Sequence, residues 1–310
     1  MSDQPRIAVL LPCYNEEAAI AEVVAGFRQA LPAAVIYVYD NNSRDSTCQK
    51  AREAGAIVRS ERMQGKGHVV RRMFADVDAD IYVMADGDLT YDPKAAPAMV
   101  EQLLGEQLDM VVGTRQHEAK AAYRGGHVFG NRVFTGLLAR LFGRSFSDIF
   151  SGYRAFSRRF VKSFPVLSEG FEIETEMSVH ALELRMPVGE LATAYGARPD
   201  GSESKLSTFR DGGRILKTIV TLYRIERPVL FYGAIGALLL VAAIILALPL
   251  VVTYLDTGMV PRMPTAVLVT GITIVAVLCF FAGLILDTVT RGRREMRRLA
   301  YLALPGPSGD

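Results

Sequence analysis

Cysteine is scarce: Cys13, Cys48 and Cys279 are the three in 310 residues. They are odd in number and far apart, and none has a C-x-x-C partner. That argues against a disulfide framework and a thiolate zinc site, and it fits a reducing compartment. An excess of one charge is also lacking. Thirty-five Lys and Arg stand against 33 Asp and Glu, a formal net charge of +2, too balanced for a chain whose main partner is nucleic acid. Repeats are absent, and 27 Gly with 14 Pro give neither a fibrous nor a disordered composition. No signal peptide is expected, because the apolar stretch from Ile7 to Leu11 is too short and a motif follows at once.

Charge is missing in two places of particular weight. Pro228 to Leu255 holds no charged residue, and neither does Met263 to Leu286. A membrane helix needs about 20 such residues, whereas buried core helices seldom stay charge-free this long. These segments account for a mean hydropathy of +0.20 in a chain that is 22% charged. They predict two transmembrane helices, 228–255 and 264–287, forming a hairpin within 228–290. Arg224 and Arg227 precede the hairpin, and Arg291, Arg293, Arg294, Arg297 and Arg298 follow it, while the connector holds only Arg262. The positive-inside rule therefore places both termini and the preceding domain in the cytoplasm, as a multi-pass protein of the cytoplasmic (inner) membrane. Gly233, Gly236, Gly271 and Gly283 permit close helix packing, including a homo-oligomer through the hairpin, without specifying it. The remaining divisions are a globular domain over 1–206, a juxtamembrane amphipathic helix over 207–227 and a basic tail over 291–310 whose end frays.

The first two thirds alternates strands with helices. RIAVLLP, AVIYVYD, AIVRS, IYVMADGD and DMVVGTR have the apolar runs of strands. NEEAAIAEVVAGFRQAL has helical spacing with Asn15 as its cap, and STCQKAREAG, GHVVRRMFADV and PKAAPAMVEQLLGEQ are also helical. Such alternation predicts an α/β fold with a mostly parallel sheet covered on both faces. Ligands bind such sheets at the carboxyl ends of strands, here Pro12, Asp40, Asp86 to Asp88 and Arg115.

Asp86-Gly87-Asp88 closes an all-apolar strand. Two carboxylates there are costly unless a cation sits between them. Mg²⁺ or Mn²⁺ bridging diphosphate oxygens would serve, although Asp-Gly is also the commonest turn dipeptide. Asp40 at the end of another strand can accept hydrogen bonds from a base edge. The Gly65-Lys66-Gly67 turn opens a helix whose N–H groups and lysine can face phosphate, or it is an ordinary helix start. It lacks the G-x-x-x-x-G-K-[ST] spacing of a P-loop.

PCYNEE, VYDNNSRDST, GKG, MADGD, VVGTR and SGYR, in this order, resemble the GT-A glycosyltransferases of the dolichol-phosphate mannose synthase type. The bacterial polyprenyl-phosphate glycosyltransferases belong to the same group. The resemblance spans residues 6 to about 225, and the hairpin resembles the membrane anchor of the bacterial enzymes. It implies a Rossmann-like GT-A catalytic domain plus a C-terminal two-helix hairpin. Pro12, Tyr14 and Glu16 would line the nucleoside site and Asp40 would hold the base. Asp86 would lie against the nucleotide, with Asp88 as the direct metal ligand and Gly87 between them. Arg115 would meet phosphate, as would Ser204 and Lys205. One departure is Thr90, where the mannose synthases often carry a metal-binding Gln. Another is the lack of the Q-x-x-R-W motif of processive synthases, which implies single-sugar transfer.

Other features suit an acceptor lipid at the membrane. HVFGNRVFTGLLARLFGR would form a basic amphipathic helix carrying Arg132 and Arg140, or a core helix with solvated arginines. Ser151 and Arg154 join Arg115, Arg132 and Lys205 as candidate ligands of the lipid phosphate. Asp148 and Glu174 are candidates for orienting the acceptor. Glu176 and His180 have metal-ligand spacing, but such a lone pair is more often structural. The expected function is inverting, metal-dependent transfer of one hexose, from a UDP-linked or alternatively GDP-mannose donor, to undecaprenyl or dolichyl phosphate. A rival of another class is a membrane-anchored nucleotide-sugar-binding protein without turnover.

Overall fold

The computed structural model describes residues 5–117, 136, 146–168, 170, 172–196, 220–221 and 223–307. The segments expected to form the basic helix with Arg132 and Arg140, the Ser204–Lys205 contact and most of the juxtamembrane helix lie outside the described residues. The chain divides into two compact units: Met1–Gly212 with Arg297–Asp310, and Gly213–Met296.

The first unit is built on seven strands: β1 (Ile7–Cys13), β2 (Val35–Asp40), β3 (Ile57–Ser60), β4 (Ile81–Met84), β5 (Met110–His117), β6 (Arg154–Ser157) and β7 (Val188–Tyr195). They lie in the order β3-β2-β1-β4-β6-β5-β7. Only β6 runs antiparallel to its neighbours, β4 and β5. β1, β2, β4 and β5 therefore all end on one edge, and that edge collects the polar residues following each strand. Ala8 to Leu11 and Ile81 to Met84 are buried on both faces of the sheet, which is why these strands are unbroken apolar runs. The covering helices are α1 (Ile20–Ala30), α2 (Thr47–Glu53), α3 (Lys66–Asp76), α4 (Ala96–Gly105), α5 (Arg158–Ser163) and α6 (Ile173–Glu183). On α1, Ile20, Val23, Val24 and Phe27 form one stripe packed on the sheet.

One expectation needs correcting here. Helix α1 begins at Ile20, and Asn15 is not its cap. Asn15 has φ 54°, outside helical space. Its Oδ1 accepts from Arg44 N–H at 2.9 Å and its N–H donates to Ser43 Oγ at 2.8 Å, so PCYNEE is a loop bound to the one after β2. Ahead of the final LPGPSGD, whose last three residues lie outside the described ones, the basic stretch is anchored. Tyr301 Oη donates to Asp109 Oδ2 at 2.9 Å, its ring lies under the Arg159 guanidinium, and Arg297 pairs with Glu183 at 2.5 Å. Tertiary partners hold this last part of the chain before Pro305.

The second unit contains α7 (Pro228–Thr257) and most of α8 (Met263–Leu302), both long and apolar enough to cross a membrane. Only 11% of each apolar window is buried, so the apolar side chains face outward from the protein. Close approach depends on glycine. A Cβ at Gly236 would lie 2.9 Å from the Ala276 carbonyl oxygen, and one at Gly283 would lie 3.3 Å from that of Pro228. Helix α8 continues past the expected end at 287 as far as Leu302.

Candidate active site

The site begins at the end of β1. The Cys13 thiol is buried there, and its pKa is pushed well above its ordinary value by burial and by the carboxylates of Glu16, Asp40, Asp86 and Asp88. One sulfur atom thus feels four acids drawn from three separate motifs. It also explains Gly87: a side chain at that position would run into Cys13 Sγ. Asp40 turns both oxygens toward the Ser43 N–H, each at 3.2 Å, closing the loop after β2. Pro12 and Tyr14 are half-buried beside it. The expected nucleoside-site residues are therefore neighbours at the ends of β1 and β2.

Asp88 is 3% exposed, and its Oδ1 accepts from the Thr90 hydroxyl at 2.6 Å and from the Thr90 N–H at 3.2 Å. Thr90, noted as a departure from the mannose synthase pattern, orients the carboxylate. Lys66, at the start of α3, places Nζ 2.5 Å from Asp86 Oδ1 and 2.5 Å from Glu174 Oε1. Burial alone would lower the lysine pKa, but the two carboxylates outweigh it and the net direction is upward. The ammonium stays charged and is committed to carboxylates, rather than facing outward as the turn alone suggested. Glu174 accordingly sits at the Asp86 end of the site. Gly152 allows its loop to close over this pair, since a Cβ there would lie 3.0 Å from Asp86 Oδ2 and 3.2 Å from Lys66 Nζ.

Arg115 and Asp148 form a two-pronged pair, Nε to Oδ2 at 2.7 Å and Nη2 to Oδ1 at 2.8 Å. The guanidinium lies 5.5 Å from the Tyr195 ring centroid. Burial favours the neutral form of each partner, yet the mutual contact prevails, holding Arg115 above and Asp148 below its usual range. Nη2 and Nε are taken by Asp148, so Nη1 is the edge that can meet an anion.

Two candidate lipid-phosphate ligands are placed elsewhere. Arg154 is completely buried. It donates to the carbonyls of Ser151 at 2.9 Å and Ile149 at 2.7 Å, and to Ser178 Oγ at 2.9 Å. Burial lowers its pKa to about 10. Ser151 is also buried, donating to the Gly113 carbonyl at 2.5 Å. Both residues fasten the loop carrying Asp148 and Gly152. Glu176 and His180 do not form a metal pair. Glu176 accepts from the Leu167 and Ser168 N–H groups, each at 2.8 Å, while His180 Nε2 faces Ser163 Oγ. Sequence reasoning missed Asn41, whose buried amide binds the loop before Lys66, and Tyr91, whose hydroxyl accepts the Gly152 N–H at 2.9 Å. The paired asparagines after Asp40 were the available signal.

Among the described residues, no cluster of three or more His, Cys, Asp or Glu could enclose a metal alone. The donor set nonetheless fits a divalent cation that shares its shell with substrate. Asp86 and Glu174 share the ammonium of Lys66, and the carboxylate of Asp88, turned by Thr90, follows two residues after Asp86. Hard oxygen donors of this kind suit Mg²⁺ or Mn²⁺ whose other ligands are diphosphate oxygens and water.

A mostly parallel α/β sheet with an acid-rich C-terminal edge, followed by two apolar helices, defines a GT-A type glycosyltransferase. Residues 8–164 match the family described as Glycosyl transferase family 2. The chain is 33% identical to the glycosyltransferase AglJ of Haloferax volcanii over 300 residues, covering 96% of this chain and 98% of that protein. It is 28% identical to a dolichyl-phosphate hexose transferase of the same organism over 221 residues, 71% of this chain and 95% of the relative. Among solved structures, it resembles glucosyl-3-phosphoglycerate synthase from Mycobacterium tuberculosis in complex with Mn²⁺ and UDP-glucose. That match has a TM-score of 0.57 and 25% identity, covering 71% of this chain and 78% of that one. The chain belongs to glycosyl transferase family 2 and is a glycosyltransferase; it is also similar to the dolichol-phosphate mannosyltransferase of Pyrococcus furiosus, 26% identical over 239 residues, 72% of this chain and 64% of that protein.

Proposed function

We propose that this enzyme transfers one sugar, with inversion, from a uridine diphosphate sugar to a polyprenyl phosphate at the cytoplasmic face of the inner membrane, using Mg²⁺ or Mn²⁺. The observation that carries the reading is the cluster of carboxylates, Asp86, Asp88 and Glu174, at the end of β4, on the same sheet edge as the strand-end Asp40. It is the arrangement a metal-bound nucleoside diphosphate would complete. The Mn²⁺ and UDP-glucose in the structural neighbour support it, as do the dolichyl-phosphate relative and the two apolar helices.

Asp40 would fix the base, with Pro12, Tyr14 and Glu16 around the nucleoside. Asp86 and Asp88 would hold the cation, which when bound neutralises charge developing on the departing diphosphate. Lys66 keeps Asp86 and Glu174 in place and adds positive charge beside the diphosphate. An acceptor phosphate is already anionic at neutral pH, so it needs orientation more than deprotonation. Arg115, braced by Asp148, would supply that through Nη1, together with Arg132 and Lys205. The α7–α8 pair would raise the local concentration of a lipid-confined acceptor.

The test is a panel of UDP-glucose, UDP-galactose, UDP-N-acetylglucosamine and GDP-mannose with undecaprenyl phosphate and Mg²⁺, read by the mass of the lipid product. One hexosyl addition from a UDP sugar is expected. Addition from GDP-mannose alone would correct the donor, and nucleotide binding without product would contradict turnover.

A further inference from the structure

Asn41 follows the strand-end Asp40 and is 4% exposed. Its backbone N–H donates to the Cys13 carbonyl at 2.9 Å, tying the ends of β1 and β2. Its side chain turns the other way, onto the loop before α3. Nδ2 donates to the carbonyls of Glu61 at 3.0 Å and Met63 at 2.8 Å. Oδ1 accepts from the Gly65 N–H at 2.7 Å and from Gln64 Nε2 at 3.3 Å. A primary amide has two donors and two acceptor lone pairs, and here all four are used within residues 61–65. The adjacent Asn42 reinforces the hold, donating to the Arg62 carbonyl at 2.9 Å.

The loop ends at Gly65, whose φ of 138° is a conformation that side chains rarely adopt. Next in sequence is Lys66, with Nζ set between Asp86 and Glu174. A long side chain reaches two carboxylates at once only if its backbone is fixed, and Asn41 grips the peptide on its N-terminal side. We propose that Asn41 is a positioning residue. It holds loop 61–65 so that the Lys66 charge stays at the diphosphate end of the site, and it links that end mechanically to Asp40 at the base end. The inference rests on the nucleotide-sugar reading of the site. Asparagine is specifically required: aspartate would oppose two carbonyl oxygens with a carboxylate, and serine has neither the reach nor the second donor.

The test is a double-mutant cycle on the full chain with Asn41→Asp and Lys66→Met. Mn²⁺-dependent Kd values for UDP and GDP are titrated, and melting temperatures recorded. Each single substitution is expected to weaken the nucleotide about tenfold, and the double variant also about tenfold rather than a hundredfold. With a turned-over donor sugar, kcat should follow the same pattern while KM for undecaprenyl phosphate stays put. A merely structural role would lower the melting temperature and the active fraction without that coupling. If Asn41→Asp does not accumulate folded, Asn41→Ala takes its place in the cycle. Multiplicative losses, or an Asn41 variant equal to wild type, would overturn the inference. A wild type that binds nucleotide with the coupled pattern yet transfers no sugar would sink the proposed function and leave the role of Asn41 standing.

Discussion

Two buried charge clusters sit at opposite ends of the same sheet, and they are balanced differently. At the start of β5, Asp109 is fully buried and accepts from Ser157 Oγ at 2.7 Å, Arg159 Nε at 2.5 Å and Nη2 at 2.9 Å, and Tyr301 Oη at 2.9 Å. One carboxylate meets one guanidinium plus two hydroxyls, so charge and hydrogen bonding both close within the protein. At the end of β4, Asp86 and Glu174 share the one ammonium of Lys66, and Asp88 is held by Thr90. There two carboxylates share one ammonium, whereas Asp109 has a guanidinium to itself. Burying charge is costly unless it is paired, and the proposed function completes the front cluster with a cation. On that proposal the rear cluster serves stability and the front one a ligand.

Substitutions should separate the two. The largest effect is expected from Asp88→Asn, which keeps shape but removes a metal-binding charge. Turnover should fall by about two to three orders of magnitude with little change in melting temperature, measured at saturating Mn²⁺. Gly87→Ala comes next, because its methyl must displace Cys13 Sγ. It should cost about 1–3 kcal/mol of stability through overpacking and reduce activity more than tenfold by tilting the Asp86–Asp88 turn. Adding Cys13→Ala should recover much of both losses, read by thermal melts and initial rates.

At the rear the expectation reverses. Tyr301→Phe should destabilise the enzyme by about 1 kcal/mol and leave kcat per folded molecule unchanged. Truncation after Met296 removes Arg297 as well and should cost more. The smallest effect at neutral pH is a pH dependence at His180, buried against Phe160 and Phe164, where burial first and then Arg297 lower its pKa to about 3. Between about pH 6.5 and 3 the unfolded chain binds a proton that the folded one refuses, so this residue removes stability as pH falls through that window. The contribution is at most about 1.4 kcal/mol per pH unit. In denaturant titrations at pH 7 and 5, His180→Gln should show a shallower acid decline than wild type.

The same contrast explains what the sequence disclosed. Long apolar runs announced β1, β2 and β4, and charge-free segments announced α7 and α8, because burial on both faces or in lipid leaves a compositional trace. β6 left none: its four residues include Arg154, and a guanidinium spent on buried carbonyls is written with the same residue as one that binds phosphate. β7 holds Gly189 and Glu190 and lacks the clean pattern of a core strand. The acids Asp40, Asp86 and Asp88 were legible because they stop apolar strands. Their convergence on Cys13 and the commitment of Lys66 to Asp86 and Glu174 depend on contacts among distant segments, which local patterns do not encode. The docking of Tyr301 on Asp109 spans 192 positions and was invisible for the same reason.

The central claim, that the carboxylates at the end of β4 form a divalent-cation site completed by a nucleoside diphosphate, is tested most directly by isothermal titration of UDP with and without Mn²⁺. Wild-type enzyme and Asp88→Asn would be compared at matched ionic strength. The account predicts that Mn²⁺ tightens UDP binding by at least about tenfold in the wild type and does almost nothing in the variant. Equal tightening in both proteins, or UDP binding indifferent to Mn²⁺ in the wild type, would contradict it.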